Sequence, residues 1–124
     1  MPYVTISASK GLSAEQTRQL LLGASEAVVQ SIGAPLASVR VMLHELADGH
    51  YLNAGQFDTK ALMFVVELIE GRNDELKEAL IAALSRTGAE TTGIPEDQVR
   101  VRLIDFPKSD MGMAGGVSAR AMGR

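Results

Sequence analysis

The sequence predicts an α/β fold in which two β-α-β units in tandem build a four-stranded sheet with two helices on one face. Three observations lead there. The chain repeats itself at an offset of 60 residues: Ala34-Pro35-Leu36-Ala37-Ser38-Val39-Arg40-Val41-Met42-Leu43 returns as Ile94-Pro95-Glu96-Asp97-Gln98-Val99-Arg100-Val101-Arg102-Leu103. Gly11 returns as Gly71, and Asn53-Ala54-Gly55 as Met113-Ala114-Gly115. Each copy also carries a capped run of helical periodicity between two β-rich runs, the order of a β-α-β unit. At 124 residues the chain is a single domain, 1–124, whose repeats span about 1–60 and 61–124.

In copy one, residues 2–8 are β-rich (Tyr3, Val4, Thr5, Ile6). Ser13 is the expected helix cap, with Gln16 three residues on completing a capping box. Leu20, Leu21, Ala24, Ala27, Val28 and Ile32 then recur at helical spacing until Gly33 and Pro35 end the helix. A second strand over residues 39–46 stops at the turn pair Asp48-Gly49. Copy two repeats the plan. An apolar strand covers 61–68, and Asn73 caps a helix through Leu76, Leu80, Ile81 and Leu84. That helix stops at Gly93 and Pro95, and a strand follows over 99–106.

The late strands alternate. Val39, Val41 and Leu43, like Val99, Val101 and Leu103, form a face for the helices. The opposite face carries Arg40, Met42 and His44 with Arg100, Arg102 and Ile104, a poor solvent face, and so is expected to meet other subunits. The tail from Pro107, rich in Met, Gly, Ala and Ser, is expected to be an arm or hairpin that docks on a neighbour, or to fray.

Composition narrows the function. A net charge of −3 argues against nucleic acid or an anionic membrane as partner. There is no Cys, hence no disulfide, thiol nucleophile or thiolate metal site. No apolar run approaches the ~20 residues that span a bilayer, and no signal peptide is evident, so a cytoplasmic location is expected. The two histidines, His44 and His50, lack a third ligand, and no metal site is expected.

The copies differ at a telling place. Copy one opens on Met1-Pro2, where copy two has Leu62. Loss of Met1 would make Pro2 a terminal secondary amine, able to act as a base if its pKa is lowered toward neutrality. The competing reading is that Pro2 merely starts a strand, a place proline tolerates. Arg72 stands just before the Asn73 cap, where the positive end of a helix disfavours a cation by a few tenths of a kcal/mol, and that invites a functional role as well as an ordinary solvated one. Copy one has Leu12 there, so one composite site per chain is expected, not two. Arg40 and Arg100 project from the non-helical face, where each needs a carboxylate of the protein or of a ligand. By residue type alone Tyr51 reads as a packing aromatic.

These stretches resemble the tautomerase superfamily, and in particular a fused, double-length 4-oxalocrotonate tautomerase. The likeness rests on Pro2, Glu70-Gly71-Arg72, residues 34–41 and Glu45-Leu46-Ala47-Asp48-Gly49-His50-Tyr51 with Gly55, and covers nearly the whole chain. It implies a homotrimer and a cofactor-independent keto-enol tautomerase acting on 2-hydroxy-dienoate or 2-oxo acids. Pro2 would be the general base. Arg72 and Arg40 would act on the substrate carboxylate and oxyanion, with Tyr51 and Arg100 as substrate-binding residues. Within the family, dehalogenase- or decarboxylase-like chemistry is the alternative. The resemblance places Val28, Ile69 and Ser38 where those enzymes have a His, an Arg and an Asp, although Asp105 lies near their water-activating carboxylate. A non-catalytic trimeric binding protein is the alternative of another class.

Overall fold

A computed structural model describes residues 2–124; Met1, whose removal the base reading requires, lies outside them. Strand β1 (Tyr3–Ala8) leads into α1 (Ala14–Ile32) and β2 (Arg40–Glu45). A short hairpin, β3 (Leu52–Asn53) and β4 (Gln56–Phe57), separates these from the second unit. That unit is β5 (Leu62–Ile69), α2 (Asp74–Thr92) and β6 (Val99–Phe106). The four long strands form one sheet in the order β2-β1-β5-β6. Pairing is parallel within each unit and antiparallel where β1 meets β5. Thr5 pairs with Val65, its own counterpart in the repeat, so an approximate twofold axis passes through the middle of the sheet.

The helix boundaries follow the capping chemistry. Ser13 Oγ accepts the Gln16 N–H at 3.0 Å, and the Gln16 side chain accepts the Ser13 N–H at 2.9 Å, a complete capping box. Asn73 Oδ1 accepts the Leu76 N–H at 3.0 Å. Gly33 and Gly93 take the left-handed conformation that closes each helix. Each helix is followed by one 3-10 turn, Leu36–Ser38 or Glu96–Gln98, after which β2 begins at Arg40, one residue later than expected, and β6 at Val99, as expected.

One sheet face is covered by both helices. Val4, Ile6, Leu62, Phe64, Val66 and Leu68 are buried there against Leu20, Val28, Leu80 and Leu84. Each such side chain contributes about 1.5–3 kcal/mol relative to exposure. Gly88 sits where α2 crosses β5: a Cβ there would lie 2.6 Å from Leu62 Cδ2 and 3.0 Å from Phe64 Cε2. The opposite face is open in the single chain and exposes half of Met42 and 43% of Ile104.

The tail is folded. Residues 108–124 contain two 3-10 turns and an antiparallel bridge between Gly112 and Ser118, with Ala119 fully buried. Met113 donates to the Val117 carbonyl at 2.7 Å and Ala119 to that of Met111 at 2.8 Å. This is copy two's version of the β3–β4 hairpin. In that hairpin Ala54 and Gly55 both take positive φ, the turn that suits strand twist; in the tail Gly115 and Gly116 do so.

Candidate active site

Two strand starts and a loop converge at one end of the sheet. The Pro2 ring is fully buried, and the Pro2 carbonyl accepts the Arg40 N–H at 3.2 Å. The parallel register of β1 and β2 sets Tyr3 beside Arg40. Because β5 runs the other way, Tyr3 also pairs with Glu67, and the loop of residues 70–73 leaves the sheet at the end where β1 begins. Arg72 is half-buried in that loop, its Nη1 donating to the Ile69 carbonyl at 3.1 Å. The fold therefore gathers Pro2, Arg40 and Arg72 at one end. None of the three depends on a carboxylate of the chain: no ion pair to either arginine occurs among the described residues.

A cavity of about 340 Å³ opens at this end, lined by Tyr3, Ser38 and Arg40 on one side and by Met111, Met113 and Arg124 on the other. Its size suits a small organic ligand. Arg40 Nη1 is anchored by the carbonyls of Ala37 at 2.8 Å and Val39 at 3.3 Å, which leaves the rest of the guanidinium for a ligand. Tyr3, Ser38 and the tail were not expected to line this site. The return of Asn53-Ala54-Gly55 as Met113-Ala114-Gly115 was the signal that the tail repeats a structured hairpin.

Tyr51 and Arg100 stand at the other end. Arg100 pairs with Met63 at the start of β5, and Tyr51 lines a cavity with Ser9 and Lys60. Six residues of β1, roughly 20 Å of strand, separate them from Pro2. Within one chain they do not join the Pro2 end, and Leu12 and Leu62 stand there in place of an arginine and a proline. Asp105, the carboxylate expected near a water-activating position, is occupied by Lys77 Nζ at 2.6 Å. His44 and His50 are exposed, and no group of three or more metal-ligating side chains occurs among the described residues.

A family model described as "Tautomerase enzyme" matches residues 2–60 and 65–121, once per repeat. The chain belongs to the tautomerase family. It is thus an isomerase with tautomerase activity, and the repeat is that of a fused member. Over 59 residues, 48% of this chain and 92% of the relative, it is 42% identical to 2-hydroxymuconate tautomerase of Comamonas testosteroni. Over 60 residues, 48% of this chain and 95% of the relative, it is 42% identical to the enzyme of that name from Pseudomonas putida. Among solved structures, this tautomerase is similar to Pt0534 inactivated by 2-oxo-3-pentynoate. The TM-score is 0.96 and the identity 75%, with 98% of this chain and 99% of that one covered. It also resembles a fused 4-OT described as a wild-type symmetric trimer, with TM-score 0.95, 44% identity and the same coverage of both chains. A fused 4-OT described as an asymmetric trimer matches at TM-score 0.93 and 37% identity, again with 98% and 99% covered.

Proposed function

We propose that this tautomerase interconverts 2-hydroxy-dienoates and their 2-oxo isomers, with Pro2 as general base once Met1 is removed. The observation that carries the reading is the gathering of a buried Pro2 with two arginines free of carboxylate partners at one end of the sheet. Burial and neighbouring guanidinium charge both disfavour a protonated terminal amine, lowering its pKa toward neutrality. The amine then takes the proton of the 2-hydroxyl. The electron pair left on oxygen forms the carbonyl, the diene shifts, and the prolinium returns the proton to a chain carbon. Arg40 and Arg72 hold the carboxylate and stabilise the developing oxyanion, the first by its anchored strand position and the second from the α2 entry loop.

The names of the relatives support the substrate class, 2-hydroxymuconate being a 2-hydroxy-dienoate. Inactivation of Pt0534 by 2-oxo-3-pentynoate supports the base, since an alkynone is a Michael acceptor that an uncharged amine attacks. A homotrimer fits the same reading. Fused relatives are trimers, and the open sheet face with Met42 and Ile104 is an apolar surface of the kind that assembly covers.

The test follows the ultraviolet absorbance of a 2-hydroxy-dienoate with wild type and with Pro2→Ala, after mass spectrometry has shown the loss of Met1. Fast ketonisation that falls by orders of magnitude in the variant supports proline-based catalysis. Equal rates in the two proteins would remove Pro2 from the mechanism.

A further inference from the structure

The cavity at the Pro2 end carries a hydroxyl that has no part in the proton transfer. Tyr3 pairs with Arg40 on the neighbouring strand, and such strands lie about 4.8 Å apart. Val4, Ile6 and Ala8 are buried beneath the helices, so Tyr3 stands with Arg40 on the open face, and both line the cavity of about 340 Å³. Ser38 brings the other side-chain hydroxyl of that lining. It donates to the Pro35 carbonyl at 2.8 Å, so its proton is committed. The Tyr3 hydroxyl makes no hydrogen bond among the described residues, although Glu67 stands opposite it on β5. Nor is it sealed away: among the described residues the buried side-chain polar atom without a partner is Ser31 Oγ. A half-buried phenol is thus fixed by its strand, with its proton free, in the space that Arg40 lines.

The repeat isolates this residue. Both copies keep the arginine, and Arg40 and Arg100 each donate to the carbonyls one and three residues back. The neighbour in register is Tyr3 for Arg40 but Met63 for Arg100. The phenol therefore goes with the proline, Pro2-Tyr3 in one copy against Leu62-Met63 in the other. Across the cavity Met111, Met113 and Ala114 give the carbon chain of a ligand an apolar surface.

We propose that the Tyr3 hydroxyl donates a hydrogen bond to the 2-oxygen of the bound acid, beside the Arg40 guanidinium. It thereby selects 2-hydroxy and 2-oxo acids over acids unsubstituted at that carbon. The phenol keeps its proton throughout, and its bond strengthens as the 2-oxygen gains negative charge. An analogue without that oxygen leaves the donor unpaired and binds less well. The ligand class rests on the proposed tautomerase reading; the placement of the hydroxyl rests on the strand register.

Calorimetric titration of the full-length assembled protein with 2-oxohexanedioate and with hexanedioate, which differ only at the 2-oxygen, tests this. Wild type is expected to bind the 2-oxo acid about three- to tenfold more tightly. Tyr3→Phe, which keeps the ring, should bring that ratio close to one by weakening the 2-oxo acid alone. A wild type without the preference, or a ratio unchanged in Tyr3→Phe, overturns the proposal. Equal weakening of both acids overturns it too, because it makes Tyr3 a packing residue. The two readings fail separately. An unchanged ketonisation rate in Pro2→Ala with a Tyr3-dependent ratio sinks the proline mechanism alone. A Pro2-dependent rate with a Tyr3-independent ratio sinks this inference alone.

Discussion

Arg40 and Arg100, one repeat apart, are held in the same pose at opposite ends of the sheet. Each directs Nη1 at the carbonyls one and three residues back, at 3.3 and 2.8 Å for Arg40 and at 3.0 and 2.7 Å for Arg100. The 3-10 turn before each strand brings those carbonyls into reach. The pose is thus a property of the repeat, whereas chemistry depends on what stands opposite: buried Pro2 at one end and buried Leu62 at the other.

Arg40→Ala is expected to lower kcat/KM for a 2-hydroxy-dienoate by about 10²–10³, the usual cost of one oxyanion-stabilising donor. Arg40→Lys should recover only part of this, because an ammonium keeps the charge but not the fork of donors. Steady-state rates of the two variants decide it. A fully active Arg40→Lys would mean that charge alone matters at this position.

Arg72→Ala should act mainly on substrates that carry a carboxylate. Its Nη1 is tied to the Ile69 carbonyl at 3.1 Å, so the loop presents the remaining guanidinium in a fixed direction. Comparing a dicarboxylate dienoate with a monocarboxylate one should show the larger loss for the dicarboxylate, on the order of tenfold or more. Equal losses on both would make Arg72 a structural support of the loop.

Much of this arrangement was legible before the structure, because local chemistry carried it. Ser13, Gln16, Asn73, Gly33 and Gly93 mark the helix ends by hydrogen bonds and a backbone conformation that few residues supply. The antiparallel meeting of β1 and β5 was not legible, since pairing across the repeat junction depends on contacts far apart in sequence. That pairing decides which residues share an end. It brings Arg72 beside the start of β1 and carries Arg100 away from it, whereas Tyr51, which follows β2, is set at the far end by the parallel pairing of β1 with β2. The tail was misjudged in part for its composition: Gly115 and Gly116, which suggest fraying, are what a tight turn with positive φ requires.

Gly88→Ala tests how tightly α2 lies on the sheet. The added methyl would meet Leu62 Cδ2 at 2.6 Å and the Phe64 ring at 3.0 Å, in the most buried part of β5. Helix propensity favours alanine by about 1 kcal/mol, but overpacking costs typically 1–3 kcal/mol. A net loss of up to about 2 kcal/mol is expected in denaturant unfolding at fixed protein concentration. Adding Phe64→Leu, which vacates ring volume, should return part of it. A stabilised Gly88→Ala would show that the helix can lift from β5 at little cost.

Two ion pairs make a small contribution to stability that fades at alkaline pH. Lys10 meets Asp48 at 3.0 Å and Lys77 meets Asp105 at 2.6 Å. The side-chain hydrogen bond to its carboxylate, then the attraction of that charge, raises Lys10 above the ordinary lysine value; for Lys77 the hydrogen bond likewise dominates, against a smaller opposing effect of burial. A lysine raised in the folded state gives stability that is whole below the unfolded pKa of about 10.4 and is lost as pH rises through the folded value. The contribution of these pairs is therefore constant from neutral pH to about pH 10 and declines beyond it. The decline is expected to be shallow, since exposed pairs contribute little. Unfolding midpoints of wild type and Lys10→Met/Lys77→Met should then run parallel up to that pH and converge above it. An undiminished gap between the two at higher pH would assign the difference to the lysine stems packing on the surface rather than to their charge.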